Sequence, residues 1–266
     1  MKRGDSFIVN KGGQVTVFII AAILIVALVV LIYFLRPGTT VTTGFDEKSP
    51  NEFIQICIEN DLEDTVNLIS SQGGSVNPEN FILYQDDKIE YLCYTTEYYK
   101  TCSVQRPLLK EHIESEIENE IKPAVVNCFN ELKNSYESRG YTVNLRPGNV
   151  RVELLPKRVV ARFNYTLTTT KTDTERYDSF NVVLNNGLYE LVSIANSIID
   201  WESEFGDAET TLYMSYYPDL KVEKLNQVDG STIYILTDRN TGNKFQFASR
   251  SVAWPPGYGI DEVATN

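Results

Sequence analysis

Residues 15–35 read VTVFIIAAILIVALVVLIYFL, and this stretch decides how the whole chain is organised. It holds 21 consecutive residues without a charge. As an α-helix, at about 1.5 Å per residue, it would extend roughly 31 Å, enough to cross the hydrocarbon core of a bilayer. A helix buried in a soluble core normally keeps a polar face, and this one has none. The stretch is therefore read as a single transmembrane helix, with the lipid bilayer as its partner. Lys2, Arg3 and Lys11 precede it against one acid, Asp5, whereas Arg36 follows it alone. The positive-inside rule keeps residues 1–14 in the cytoplasm as a basic leader and sends the C-terminal part outside the cell. The run is too long for a conventional cleavable signal, and no A-x-A-like site follows it. Residues 36–50 are expected to form a linker, because Pro37 and Gly38 end the helix and a polar Thr-rich run follows.

Working outward, the acidity lies beyond the span. The 266-residue chain has a net charge of −12, and its first 36 residues carry four basic groups and one acid. Removing their +3 leaves −15 on residues 37–266. Nucleic acid is excluded as a main partner, since binding it requires Lys and Arg to neutralise phosphates. The single histidine, His112, argues against a His-rich metal site and against Ser-His-Asp chemistry.

All four cysteines, Cys57, Cys93, Cys102 and Cys128, fall in this outer part. An even count beyond a membrane anchor favours disulfides. Cys93 and Cys102 bracket YTTEYYKT, a segment short enough to fold back on itself, which leaves Cys57 with Cys128. A zinc site would call for closely spaced C-x-x-C units, which are lacking, and free or otherwise paired thiols are the remaining alternative.

The outer region reads as α+β with antiparallel sheets. Ser49-Pro50-Asn51-Glu52 supplies an N-cap, a first-turn proline and a capping-box Glu, and Ile54, Ile58, Leu62, Val66 and Ile69 then recur at helical spacing up to Gly73-Gly74. FILYQ and KIEYLCY read as paired strands turning at Asp86-Asp87. A second helical region runs from Pro107 to about Ser138, with a kink or a break expected at Pro123. His112 sits beside its apolar stripe as a surface or packing residue. From Tyr141 the period changes to two. VRVELL, RVVARFNYTLTT and RYDSFNVVLNN read as a three-stranded meander. GLYELVSIANSIIDWESEF is an amphipathic helix with Leu188, Leu191, Val192, Ala195, Ile198, Ile199 and Phe205 towards the core. A second meander follows, turning at Asp229-Gly230 and at Asn240 to Gly242. The expected organisation is a helix-rich, disulfide-bearing lobe over 51–140, a β lobe with a packed helix over 141–252, and a C-terminal arm over 253–266.

Few residues carry chemistry. No phosphate-binding loop, no G-x-S-x-G, no H-E-x-x-H and no dinucleotide fingerprint is present, and no cofactor is implied. Asp238 to Asn243 lacks the alternating acids of a calcium loop and reads as a hairpin turn. Asn164-Tyr165-Thr166 is an N-glycosylation sequon. Tyr94, Tyr98 and Tyr99 are candidates for an interaction surface, against a plainer reading as strand and disulfide packing.

The residues just before the span read Lys11-Gly12-Gly13-Gln14-Val15-Thr16-Val17-Phe18. A short basic leader, then Gly-Gln, then a hydroxyl residue opening a long apolar helix, resembles the class III signal of archaeal type IV pilin-like proteins. The resemblance implies cleavage between Gly13 and Gln14, with the apolar helix kept on the mature chain. It departs from the pilin pattern at Phe18, where pilins carry the Glu that helps subunits dock. The alternative is a plain signal anchor. The opening KGGQVTVFII, with CIENDLEDTVNLISSQGG after it, also resembles a group of singly anchored surface proteins of small-genome archaea, and brings no activity with it. The leading expectation is a membrane-anchored surface or envelope protein, not an enzyme, that binds a protein partner or assembles with itself. The alternatives are an anchored ligand-binding or sensory domain and a carboxylate-dependent ecto-enzyme.

Overall fold

A computed structural model describes residues 25–26 and 49–253. The leader with Gly13 and Gln14, the apolar run apart from helical Ile25 and Val26, the linker up to residue 48 and the arm from residue 254 lie outside the described residues. Among the described residues no helix is long and apolar enough to cross a membrane. The elements below all belong to the compact unit that begins at Lys48.

That unit is α+β, and its sheets are mainly antiparallel. Helix α1 (Pro50–Ser71) starts where the sequence signals it: the Ser49 hydroxyl accepts the Glu52 N–H at 3.3 Å. Helix α2 (Leu109–Ser138) runs beside α1, and the Cys57–Cys128 disulfide joins the two. Pro123 lies inside α2 without dividing it, so the break expected there does not occur. Burial of Ile113, Ile117 and Ile121 on one side of Pro123, and of Val125, Phe129 and Leu132 on the other, holds one continuous stripe through the missing hydrogen bond.

Three long antiparallel strands follow, each broken by a bend. They give β4 (Thr142–Arg146) and β5 (Val150–Leu155), then β6 (Arg158–Phe163) and β7 (Thr166–Thr170), then β8 (Thr174–Tyr177) and β9 (Phe180–Asn185). The bend divides the expected meander into two small sheets, β4-β7-β8 and β5-β6-β9. Gly148 marks the bend: a Cβ there would stand 1.9 Å from the Asn164 carbonyl oxygen. No other residue tolerates that approach. One face of β5-β6-β9 buries Val152, Leu154, Ala161, Phe163, Phe180 and Val182. Phe129 of α2 packs edge-on against Phe163 and Phe180 and stacks on Tyr165 with ring centroids 4.1 Å apart.

The last meander, β10 (Leu220–Asn226), β11 (Thr232–Asp238) and β12 (Lys244–Arg250), forms with the expected turns. It does not stand alone. β1 (Phe81–Tyr84), β2 (Asp87–Tyr94) and β3 (Ser103–Val104) extend it into a six-stranded sheet, with β2 parallel to β12. The β1–β2 turn falls at Gln85-Asp86, one residue before the expected place, and both residues take positive φ, as a two-residue hairpin turn requires. Helix α3 (Leu188–Phe205) touches strands of this sheet and of β5-β6-β9, and the short α4 (Thr210–Tyr216) leads into β10.

Candidate functional site

The disulfides are the firmest of the sequence-derived features. Cys57–Cys128 joins α1 to α2 with Cα atoms 6.0 Å apart, and Cys93–Cys102 joins β2 to the loop before β3 with Cα atoms 5.3 Å apart. The second bond closes the loop that presents Tyr98 and Tyr99, both exposed. Tyr94 is half-buried, edge-on to buried Tyr91 at 5.0 Å, with the Arg250 guanidinium 6.0 Å from its ring. Of the three candidate tyrosines, Tyr98 and Tyr99 are thus the more accessible. Asn164 is exposed at the β6–β7 bend, on the solvent side of the sheet near Arg158, Arg162 and Asn181.

His112 belongs to a packed polar cluster. Ser75 donates to Glu90 Oε2 at 2.5 Å, and its oxygen lies 2.8 Å from His112 Nε2. Arg106 holds the other oxygen of Glu90 through two nitrogens, at 2.7 and 3.0 Å. A carboxylate only accepts, so the serine proton is committed to Glu90 and His112 Nε2–H must donate to the serine. Desolvation, followed by the Arg106 charge, lowers the histidine pKa, against the opposing pull of Glu116 and Glu90. This order of groups locks the serine hydroxyl onto a carboxylate instead of aiming it at a base, so it does not make a nucleophile.

A second buried carboxylate, Glu202, was not singled out from the sequence. It ties the C-terminal end of α3 to the six-stranded sheet. Its Oε1 accepts Ala208 N–H at 2.9 Å and the Tyr234 hydroxyl, and its Oε2 accepts Ser249 Oγ at 3.0 Å. Burial raises its pKa, opposed by those hydrogen bonds and by the Lys224 charge. The Tyr234 hydroxyl is itself pushed well up, by burial and then by the neighbouring carboxylate. The signal that could have found Glu202 is phase. It continues the buried series 188, 191, 192, 195, 198, 199, whereas Phe205, expected to face the core, is 49% exposed.

Phe205 is one of several large apolar side chains exposed on α3 and α4. Its ring lies 4.6 Å from that of Trp201, and Leu212, Tyr216 and Tyr217 are exposed on and just after α4. A 2.8 Å hydrogen bond between Ser197 Oγ and the Tyr213 hydroxyl joins the two helices on this flank. Beside it, at the N-terminal end of α3, is a cavity of about 270 Å³ walled by Tyr189, Leu191, Ile194, Tyr217 and Leu220. Among the described residues no group of His, Cys, Asp and Glu is placed to hold a metal ion.

Compared with protein-family models, with curated proteins and with solved structures, the chain matches none.

Proposed function

We propose that the chain is a membrane-anchored surface protein, held by residues 15–35, whose outer α+β unit works by contact with a protein partner or with further copies of itself. The observation that carries this reading is the α3–α4 face. Trp201, Phe205, Leu212, Tyr216 and Tyr217 are each between 42 and 80% exposed, on neighbouring helices. Aromatic side chains bring large contact area at low entropic cost, and several exposed on adjacent elements suit a recognition surface. The buried acids support the same reading: Glu90 and Glu202 spend their oxygens on internal donors, so neither is poised for acid–base work. The resemblance to archaeal pilin-like leaders adds cleavage between Gly13 and Gln14 to the proposal.

The test is a photo-crosslinking residue at position 216, in intact cells, with position 64 on α1 as a control. A discrete adduct from 216 alone, removed by protease added outside the cells, is the expected result. Equal labelling from both positions, or an adduct resistant to external protease, would overturn the proposal.

A further inference from the structure

The cavity at the start of α3 has walls and charges that select one ligand class. Its sides are the carbon of Leu191, Ile194 and Leu220 and the rings of Tyr189 and Tyr217. Among the described residues its charged lining groups are all acids, Glu190, Asp219 and Asp238, with no Lys, Arg or His. These acids differ in their freedom. Glu190 accepts the Lys157 N–H with both oxygens, at 3.0 and 3.3 Å. Asp238 accepts the Asn240 and Thr241 N–H groups with Oδ1, at 2.8 and 3.4 Å. Asp238 Oδ2 lies over Gly187, 3.4 Å from where a Cβ would stand, and makes no hydrogen bond or ion pair among the described residues. The Asp219 carboxylate is exposed and makes no hydrogen bond or ion pair among the described residues.

The helix end does not turn this into an anion site. An α-helix N-terminus carries only about half a positive charge, against three carboxylates here. Two amides at the helix start are also spent: Gly187 N–H donates to Asn243 Oδ1 at 3.0 Å, and Leu188 N–H donates to Asn186 Oδ1 at 2.9 Å. An apolar, aromatic-walled cavity with free carboxylate oxygens in its lining suits a cation on a carbon body, through burial of the body and attraction of the charge to oxygens and ring faces. The volume lies just below the range of drug-sized sites, which limits the ligand to a small molecule or a single side chain.

We infer that this cavity binds a primary ammonium or guanidinium group carried on a short apolar or aromatic body, with Asp219 and Asp238 taking the charge and Tyr189, Ile194 and Tyr217 taking the body. The source is a free small amine or a Lys or Arg side chain of a partner. The inference does not depend on the membrane anchor or on the α3–α4 contact, so a failed crosslink at 216 leaves it standing.

The test is calorimetric titration of the full chain in a non-ionic detergent. Phenethylamine is compared with its neutral and anionic analogues, 2-phenylethanol and hydrocinnamate, and with lysine and arginine capped at both ends. Phenethylamine is expected to bind about tenfold or more tightly than its two analogues. Asp219→Lys, at an exposed position, should abolish that binding without changing the melting temperature, and Asp219→Asn should weaken it. Ile194→Trp should fill the cavity and block it. Tighter binding of phenethylamine than of the capped amino acids assigns a free amine, and the reverse assigns a partner side chain. Equal binding of the amine and 2-phenylethanol, no binding of any cation, or undiminished binding by the Asp219→Lys protein would each overturn the inference.

Discussion

Gln55 of α1 pairs with Val183 of β9 as another strand would: its Oε1 accepts the Val183 N–H at 3.0 Å, and its Nε2 donates to the Val183 carbonyl at 3.2 Å. β9 is one edge of the β5-β6-β9 sheet, and the opposite edge is closed in a related way. Glu118 and Glu114 of α2 accept the N–H groups of Val152 and Leu154 on β5, at 2.9 and 2.7 Å. One helical turn advances about 5.4 Å and two strand residues about 6.7 Å, so carboxylates four apart meet amides two apart. Both edges of a three-stranded sheet are thereby withheld from pairing with other chains, the usual hazard of an exposed edge.

Removing that amide should loosen one edge only. Gln55→Ala is expected to cost about 1 kcal/mol and to speed hydrogen exchange at Val183 while leaving Val152 and Leu154 protected. Uniform acceleration across all three amides would show that Gln55 acts through global stability instead.

Local signals made the frame of this region legible. The cap at Ser49, the change of period near Tyr141 and the hairpins at Asp229-Gly230 and Asn240 to Gly242 each describe neighbours in sequence, and each element forms. The parallel pairing of β2 with β12 joins Tyr91 to Ala248, and pairing at such a distance leaves no local trace. Glu202 was hidden because a charged residue in a core stripe reads as the end of the stripe. Its compensation comes from Tyr234 and Ser249 on strands 32 and 47 residues later. The cavity was illegible for the same reason: Gly187 to Ile194, Tyr217 to Leu220 and Asp238 meet only in the fold.

Thr169 is a site where the native residue is not the most stable one. It is buried on β7, and its hydroxyl has no hydrogen-bond partner among the described residues. Thr169→Val keeps the branched shape and removes the stranded polar atom, so it should raise stability by about 1 kcal/mol, read as a higher denaturation midpoint at unchanged slope. A loss of stability would mean that the hydroxyl is satisfied in solution.

Glu202 should impose a pH dependence of definite sign. Its native pKa is raised above the ordinary value of 4.5, so the folded chain holds this proton more tightly than the unfolded one. That contribution is fully present below about pH 4.5 and is lost as pH rises through the native value. Glu202→Gln lacks the loss, so its stability relative to the native protein should improve between acid and neutral pH. Glu202→Leu strands the Ala208, Tyr234 and Ser249 donors and should cost on the order of 3 kcal/mol or more at every pH. Parallel stability curves for the native and Gln proteins from pH 4 to 8 would rule out a raised native pKa.

The two disulfides should contribute unequally because they close loops of different length. Cys57 and Cys128 are 71 residues apart, and Cys93 and Cys102 are 9 apart. Loop-closure entropy gives about 4 kcal/mol for the first bond and about 3 kcal/mol for the second. Native contacts shift the weight further. The long bond pins α1 to α2, helices already packed along buried stripes, so the Cys57→Ser, Cys128→Ser protein should stay folded at a lower melting temperature. The short bond holds the loop carrying Tyr98 and Tyr99, where Tyr99 N–H donates to the Val252 carbonyl at 2.6 Å. The Cys93→Ser, Cys102→Ser protein should therefore melt closer to the native protein, yet lose protection at Tyr99 and become susceptible to proteolysis between residues 95 and 101. If the short bond proved the costlier one to remove, its loop would have to be part of the cooperative core, tied to the Ser249–Glu202 network that its Cys102 sulfur adjoins at 3.6 Å.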